Sequence, residues 1–367
     1  MRTTRRAPRA RLAAVGVATI CALFVSGCSA ANERGGDVPE GQGVSGSISG
    51  AGASSQQAAM QAWNAGFGDA NPDADVNYDP IGSGGGRSQF VEGGVQFGGS
   101  DAYLEDEQLQ QAQQRCGGQV IEIPNYVSPI AIVYKLDGVA DLNLSPATIA
   151  GVFNGQITTW NDPKIAADNP GVALPAAPVT PVHRSDESGT TENFTDFLNK
   201  AAPDVWTEEA DGNWPIQGGE AAQGTSGVVG AVGSGNGTIG YADASQAGQL
   251  GTATVKLGDR SVAPTAEAAA KILEESQRVE GRGESSFAFD LNRTATGGAY
   301  PVVLVSYLLA CPTYQDPDDA EVTKAFLNHI VSDAGQQAAA QAAGSAPLSP
   351  SLRDQISPVV DRISAGG

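Results

Sequence analysis

Histidine is almost missing from this sequence: His183 and His329 are the only two among 367 residues. That shortage excludes the His-rich clusters on which many catalytic metal sites depend, and no Cys/His/Asp spacing makes up for it. Basic residues are scarce as well. Lys and Arg number 21 against 41 Asp and Glu, a formal charge of −20. No basic face is therefore available to neutralise a nucleic-acid backbone. A small anion is a different case, because a few local donors outweigh a distant, screened field. Long apolar runs are lacking too; the stretch from about Leu12 to Val25 is short for a membrane span. Charged residues make up 17% against 41% hydrophobic, which excludes global disorder. The length allows two domains and a well-buried core. What is abundant is glycine, at 47 residues, which predicts many turns and close backbone approaches.

The N-terminus reads as an export signal. Arg2, Arg5, Arg6, Arg9 and Arg11 precede the apolar stretch, which ends in Val25-Ser26-Gly27-Cys28. This resembles the bacterial lipoprotein signal, with cleavage before Cys28 and a lipid on its thiol. Removing residues 1–27, with five Arg and no acid, takes the formal charge from −20 to −25. Residues 28–45 are rich in Gly, Pro and polar side chains and read as a flexible tether. Cys21 leaves with the signal, so Cys116 and Cys311 remain as an even pair in an oxidising compartment. A disulfide between them is expected; the alternative is two buried thiols.

Along the mature chain, strands repeatedly run into Gly/Ser turns at helix starts. Val44 to Gly50 reads as a strand, followed by Gly50-Ala51-Gly52-Ala53-Ser54-Ser55 and a helix from Gln56 to Phe67. Val76 to Tyr78 leads into Gly82-Ser83-Gly84-Gly85-Gly86, and Phe97 opens a strand ending at Gly98-Gly99-Ser100-Asp101. Such a pattern predicts an α/β sheet with a ligand at the carboxyl ends of its strands. The first amides of a helix lack intrahelical partners and sit at the positive end of its dipole. Glycine lets an anion approach the backbone, and Ser or Thr adds a hydroxyl. A single such turn is usually a plain cap; several in one chain argue for a site. Asp101 also reads as the N-cap of a helix from Leu104 to Gln114.

The fourth turn adds a fixed charge. Val179 to Arg184 reads as a strand, and Thr191 to Lys200 as a helix with Phe194, Phe197 and Leu198 inward. Between them, Ser188, Gly189 and Thr190 present amides and hydroxyls beside the Arg184 guanidinium, a forked and permanent donor. Asp186 is placed to orient that guanidinium. His183 alternates with Arg184 along its strand and should face away.

Taken in this order, the turns resemble those of the phosphate-binding receptor of bacterial phosphate ABC transporters. So do Ile149 to Ile157 with Trp160-Asn161-Asp162, and Gly237-Thr238-Ile239-Gly240-Tyr241. The resemblance runs from about Ser49 to beyond Tyr241. It implies a two-lobe periplasmic-binding-protein fold of type II, each lobe a mixed sheet flanked by helices, with the ligand in the cleft. It also implies phosphate held by Ser54, Ser55, Ser83, Asp101, Arg184, Ser188, Gly189 and Thr190, with Asp186 behind Arg184. Ser55 stands where the family usually has Phe and uses a backbone amide. Glu187 stands where the family often has Gly, and is expected to point to solvent. An ionised Asp101 only accepts hydrogen bonds; it suits a protonated phosphate and repels sulfate.

Ile121 to Leu136 and Tyr300 to Leu309 read as the strands crossing between lobes. Lobe one would comprise 46–128 and 300–367, including the helices from Ala320 to Ala342, and lobe two 129–299. The implied partners are inorganic phosphate, the transporter's transmembrane permease and the membrane through the Cys28 lipid, with no cofactor, no metal and no nucleic acid. The location is extracytoplasmic and lipid-anchored. The competing readings are a receptor for arsenate, sulfate or molybdate, and a phosphate-ester hydrolase, which would need a metal cluster or an activated nucleophile.

Overall fold

The computed structural model describes residues 43–294 and 297–366. The export signal, Cys28 and most of the tether lie outside the described residues. Strand β1 (Gly46–Gly52) leads through one tight turn, Ser54–Gln56, into helix α1 (Gln57–Ala70). Its Met60, Trp63 and Phe67 are buried at helical spacing. Then follow β2 (Ala74–Asp79), α2 (Ser83–Glu92), β3 (Phe97–Ser100) and α3 (Asp106–Arg115). Asp101 does not cap α3. Glu105 does, in a reciprocal capping box with Gln108, which leaves the Asp101 carboxylate for other partners.

The long strand β4 (Ile121–Lys135) is buried over 14 of its 15 residues. After it come β5 (Thr180–Arg184), α4 (Gly189–Ala201), β6 (Glu220–Ala222), α5 (Gly224–Ser234), β7 (Thr238–Asp243), β8 (Gly251–Leu257) and β9 (Val303–Ala310). The main sheet runs β2-β1-β3-β9-β4-β7-β5-β6. Its two halves share β4. Residues Ile121–Pro129 pair antiparallel with β9, and Ile130–Lys135 pair antiparallel with β7. Proline cannot donate to a ladder, and both prolines of β4 sit where that matters least. Pro129 lies at the change of partner, and Pro124 lies at the register shift opposite Tyr307.

β4 thus runs through both lobes. β9 does not: it begins at Val303 opposite Pro129 and stays with the first half-sheet. The return crossing is the short segment before it, tied by the Ile130 amide to the Val302 carbonyl at 2.7 Å. Within each half, the strands that end at the cleft run parallel: β1 with β2 and β3, and β5 with β6 and β7. Their carboxyl ends meet face to face.

Behind the first half-sheet lie α6 (Pro317–Val331) and α7 (Asp333–Ala343), separated at Ser332, whose hydroxyl caps the second of them. Cys116, at the end of α3, is bonded to Cys311, just past β9, with their Cα atoms 5.0 Å apart. Among the described residues, no helix is long and apolar enough to cross a membrane, and no group of three or more His, Cys, Asp or Glu is arranged to hold a metal ion.

Candidate functional site

Five strand-to-helix junctions converge where the half-sheets face each other: β1 to α1, β2 to α2, β3 to α3, β5 to α4 and β6 to α5. Asp101, which follows β3, is at the centre and is 2% exposed. Its carboxylate accepts from the Ser55 hydroxyl at 2.7 and 2.6 Å, from Ser306 on β9 at 2.7 Å, and from Thr190 at the start of α4 at 3.0 Å. Its own amide donates to the Ser83 hydroxyl at 3.1 Å, and its carbonyl accepts from Asn193 at 2.7 Å. Burial pushes the Asp101 carboxyl up. The hydroxyls of Ser55, Ser306 and Thr190 and the charge of Arg184 pull the other way without cancelling it. The group is therefore disposed to share a proton. Gly189 makes the approach possible: a Cβ there would stand 2.8 Å from Asp101 Cβ and from Ser83 Oγ.

Arg184 closes β5 and is 2% exposed. Its Nε donates to Asp186 Oδ1 at 2.8 Å and its Nη2 to Oδ2, a two-point pair that fixes the guanidinium plane. Burial raises the Asp186 carboxyl, but Arg184 and the Gly224 amide, 3.0 Å from Oδ1, outweigh it and hold the group below its usual range. Asp186 stays ionised and the pair stays charged. His183 turns away as its alternation requires, stacking on Trp214 with 5.0 Å between ring centres.

The other expected residues are brought to the same place, some with different bonds. The Ser54 hydroxyl is within 3.0 Å of Thr225 Oγ1 and accepts from the Thr225 amide at 3.1 Å. Ser83 opens α2. The Ser188 side chain caps α4 by accepting from the Thr191 amide at 3.2 Å. Three features escaped the sequence reading. One is the Ser55 hydroxyl, expected to matter only through its amide. Another is Ser306, the single polar residue inside the apolar run of β9. The third is Thr225, whose Gln223-Gly224-Thr225 turn follows β6 as the other turns follow their strands, and which that shared pattern should have flagged. A correction concerns Glu187. It does not point free into solvent: it is half-buried and ion-paired with Arg87 of α2 at 2.6 Å.

A second buried acid lies near the cleft floor. Asp243, at the end of β7, accepts from the Ser245 amide at 3.0 Å and hydroxyl at 2.5 Å. Burial pushes its carboxyl up to about 6, against the Ser128 and Ser245 hydroxyls that lower it and with Asp101 adding to the rise. A carboxyl raised on folding stabilises the fold below its unfolded value, near 4, and that contribution is lost as pH rises through 6. Asp243→Asn removes the titration. Its unfolding free energy should gain on wild type by about 2 kcal/mol between pH 4 and pH 7. Urea unfolding across that range measures the difference; a constant gap would remove Asp243 as the cause.

The assembled groups are hydroxyls, free helix-start amides, one fixed guanidinium and one proton-accepting carboxylate. They suit a small anion with several acceptor oxygens and at least one proton. Residues 37–334 match the family described as "PBP superfamily domain". The chain is 34% identical to phosphate-binding protein PstS 3 of Mycobacterium leprae, over 85% of this chain and 86% of that protein. It is also 34% identical to PstS 3 of Mycobacterium tuberculosis, over 96% and 98%. Among solved structures, it resembles a high-affinity periplasmic phosphate-binding protein (PfluDING) bound with phosphate. There the TM-score is 0.69 at 23% identity, covering 85% of this chain and 93% of that one. A phosphate-binding protein from Stenotrophomonas maltophilia gives a TM-score of 0.67 at 20% identity, over 86% and 94%. At those identities the likeness speaks for the two-lobe fold.

Proposed function

The chain belongs to the PBP superfamily and, within it, to the phosphate-binding proteins, and from that premise we propose that it captures inorganic phosphate between its lobes and delivers it to an ABC importer. The observation that carries this reading is the buried Asp101 carboxylate, set among donors at the meeting point of both half-sheets. Phosphate near neutral pH keeps a proton to donate to Asp101, whereas sulfate has none and would meet it as a like charge. Ser54, Ser55, Ser83, Arg184, Ser188, Gly189 and Thr190 supply the remaining contacts, with Asp186 steadying Arg184. The chain acts as a receptor, not as an enzyme. Lobe one is formed by residues 46–128 and 300–367 and lobe two by 129–299. A lipid on Cys28 holds the receptor at the outer face of the membrane, beside the permease.

Calorimetric titration tests the reading directly. Wild type should take phosphate and discriminate strongly against sulfate. Asp101→Asn should lose roughly ten- to a hundredfold in phosphate affinity, the scale of one charge-assisted hydrogen bond. It should also gain on sulfate, because an amide can donate to an unprotonated oxyanion. Equal binding of the two anions by wild type would remove the role given to Asp101.

A further inference from the structure

Glu187 poses an electrostatic problem that its surroundings resolve. It lies three residues after Arg184, at the lip of an anion site. Coulomb repulsion alone says that an extra carboxylate there weakens anion capture. Its actual partner is a cation from the opposite lobe. Arg87, in the second turn of α2, is 3% exposed. Its Nη2 donates to Glu187 Oε1 at 2.6 Å, and its Nη1 donates to Ser100 Oγ at 3.1 Å. A second carboxylate from lobe two, Glu192 on α4, stands 3.7 Å from Nη1. Ser100 immediately precedes Asp101, so the same guanidinium braces the turn that carries the central carboxylate.

The fit is steric as well as ionic. The Gly84 amide of α2 donates to the Glu187 carbonyl at 3.2 Å. A Cβ on Gly84 would overlap the Glu187 carboxyl, and a Cβ on Gly212 would come within 3.1 Å of its Cγ. Glu187 thus enters a slot that glycines leave open on both sides. Its side chain is 39% exposed, so the pair is partly screened and its effect is moderate.

We propose that Glu187 is a positioning residue that pins the two lobes together: it crosses the cleft into the Gly84–Arg87 turn of α2 and slows the release of bound phosphate. The inference rests on the phosphate-receptor reading. Contacts made only in the closed form lower that form alone, so they appear in dissociation rather than in encounter. Pinning and repulsion by Glu187 act on affinity with opposite signs.

Stopped-flow measurement of phosphate association and of release into a scavenger separates them. Glu187→Gln keeps the shape and removes the charge. It should speed release about tenfold, leave association within about twofold, and weaken affinity to match. Arg87→Met should act in the same direction, and the double variant should be no worse than the stronger single one, the signature of a shared contact. If Arg87→Met does not fold, Glu187→Gly, which empties the slot without burying a new group, carries the same expectation. Unchanged release in Glu187→Gln, tighter binding, or a change confined to association each overturns the pin while leaving the receptor standing. No phosphate binding by wild type overturns both.

Discussion

Replacing Arg184 by Met is expected to weaken phosphate binding about a thousandfold, read by calorimetry against wild type. The guanidinium is 2% exposed and held by Asp186 through both Nε and Nη2. Truncating one partner of a buried, hydrogen-bonded charge pair between protein and ligand costs about 4 kcal/mol of binding, which is roughly three orders of magnitude in affinity. The substitution also orphans Asp186, kept ionised partly by the Gly224 amide. It would then repel the incoming anion as well as fail to orient a donor. Arg184→Lys should fall between the two, near tenfold to a hundredfold, because a point charge survives but the planar fork does not. An Arg184→Met protein that is folded and binds phosphate as wild type does would remove Arg184 from the site.

The Cys116→Ser, Cys311→Ser double variant is expected to lose about 5 kcal/mol of unfolding free energy, on the loop-closure argument for a bridge spanning 195 residues. That is a large part of the stability of an ordinary domain. Urea unfolding of the two proteins measures the loss. Phosphate affinity of the folded fraction should stay within about twofold of wild type, because the bridge lies at the far end of the sheet. Ala310, next to Cys311, pairs with Phe97 at the start of β3, whereas Ser100, next to Asp101, ends it. A large drop in affinity with stability unchanged would reverse this assignment.

Much of the site was legible because its chemistry is local. A strand, a Gly/Ser turn and a helix start lie within a dozen residues of one another, and Arg184 with Asp186 forms a pair two residues apart. The bonds that organise the site are not local. Ser55 reaches Asp101 across 46 residues, and Ser306 reaches it across 205. Nothing near Ser306 in the chain marks it as more than a small polar residue in a buried strand. Glu187 was misjudged for the same reason: its neighbours in sequence are acidic and polar, while its partner Arg87 is 100 residues away on the other lobe. The crossing at β4 was legible as an apolar run; the end of β9 at the hinge was not, because only the pairing of Val303 with Pro129 fixes where it starts.

The place of β9 in the sheet bears on how the molecule comes into being. Residues 303–310 lie between β3 and β4, both made far earlier. As the polypeptide emerges N-terminus first, the edges of those two strands wait unpaired until the whole intervening lobe has been synthesised. Open edges of that kind invite association with other chains. The order of synthesis runs against the order of assembly. The first half-sheet is therefore completed late, and a truncated product stopping before residue 303 would keep two open strand edges and be a sticky fragment rather than a half-built receptor.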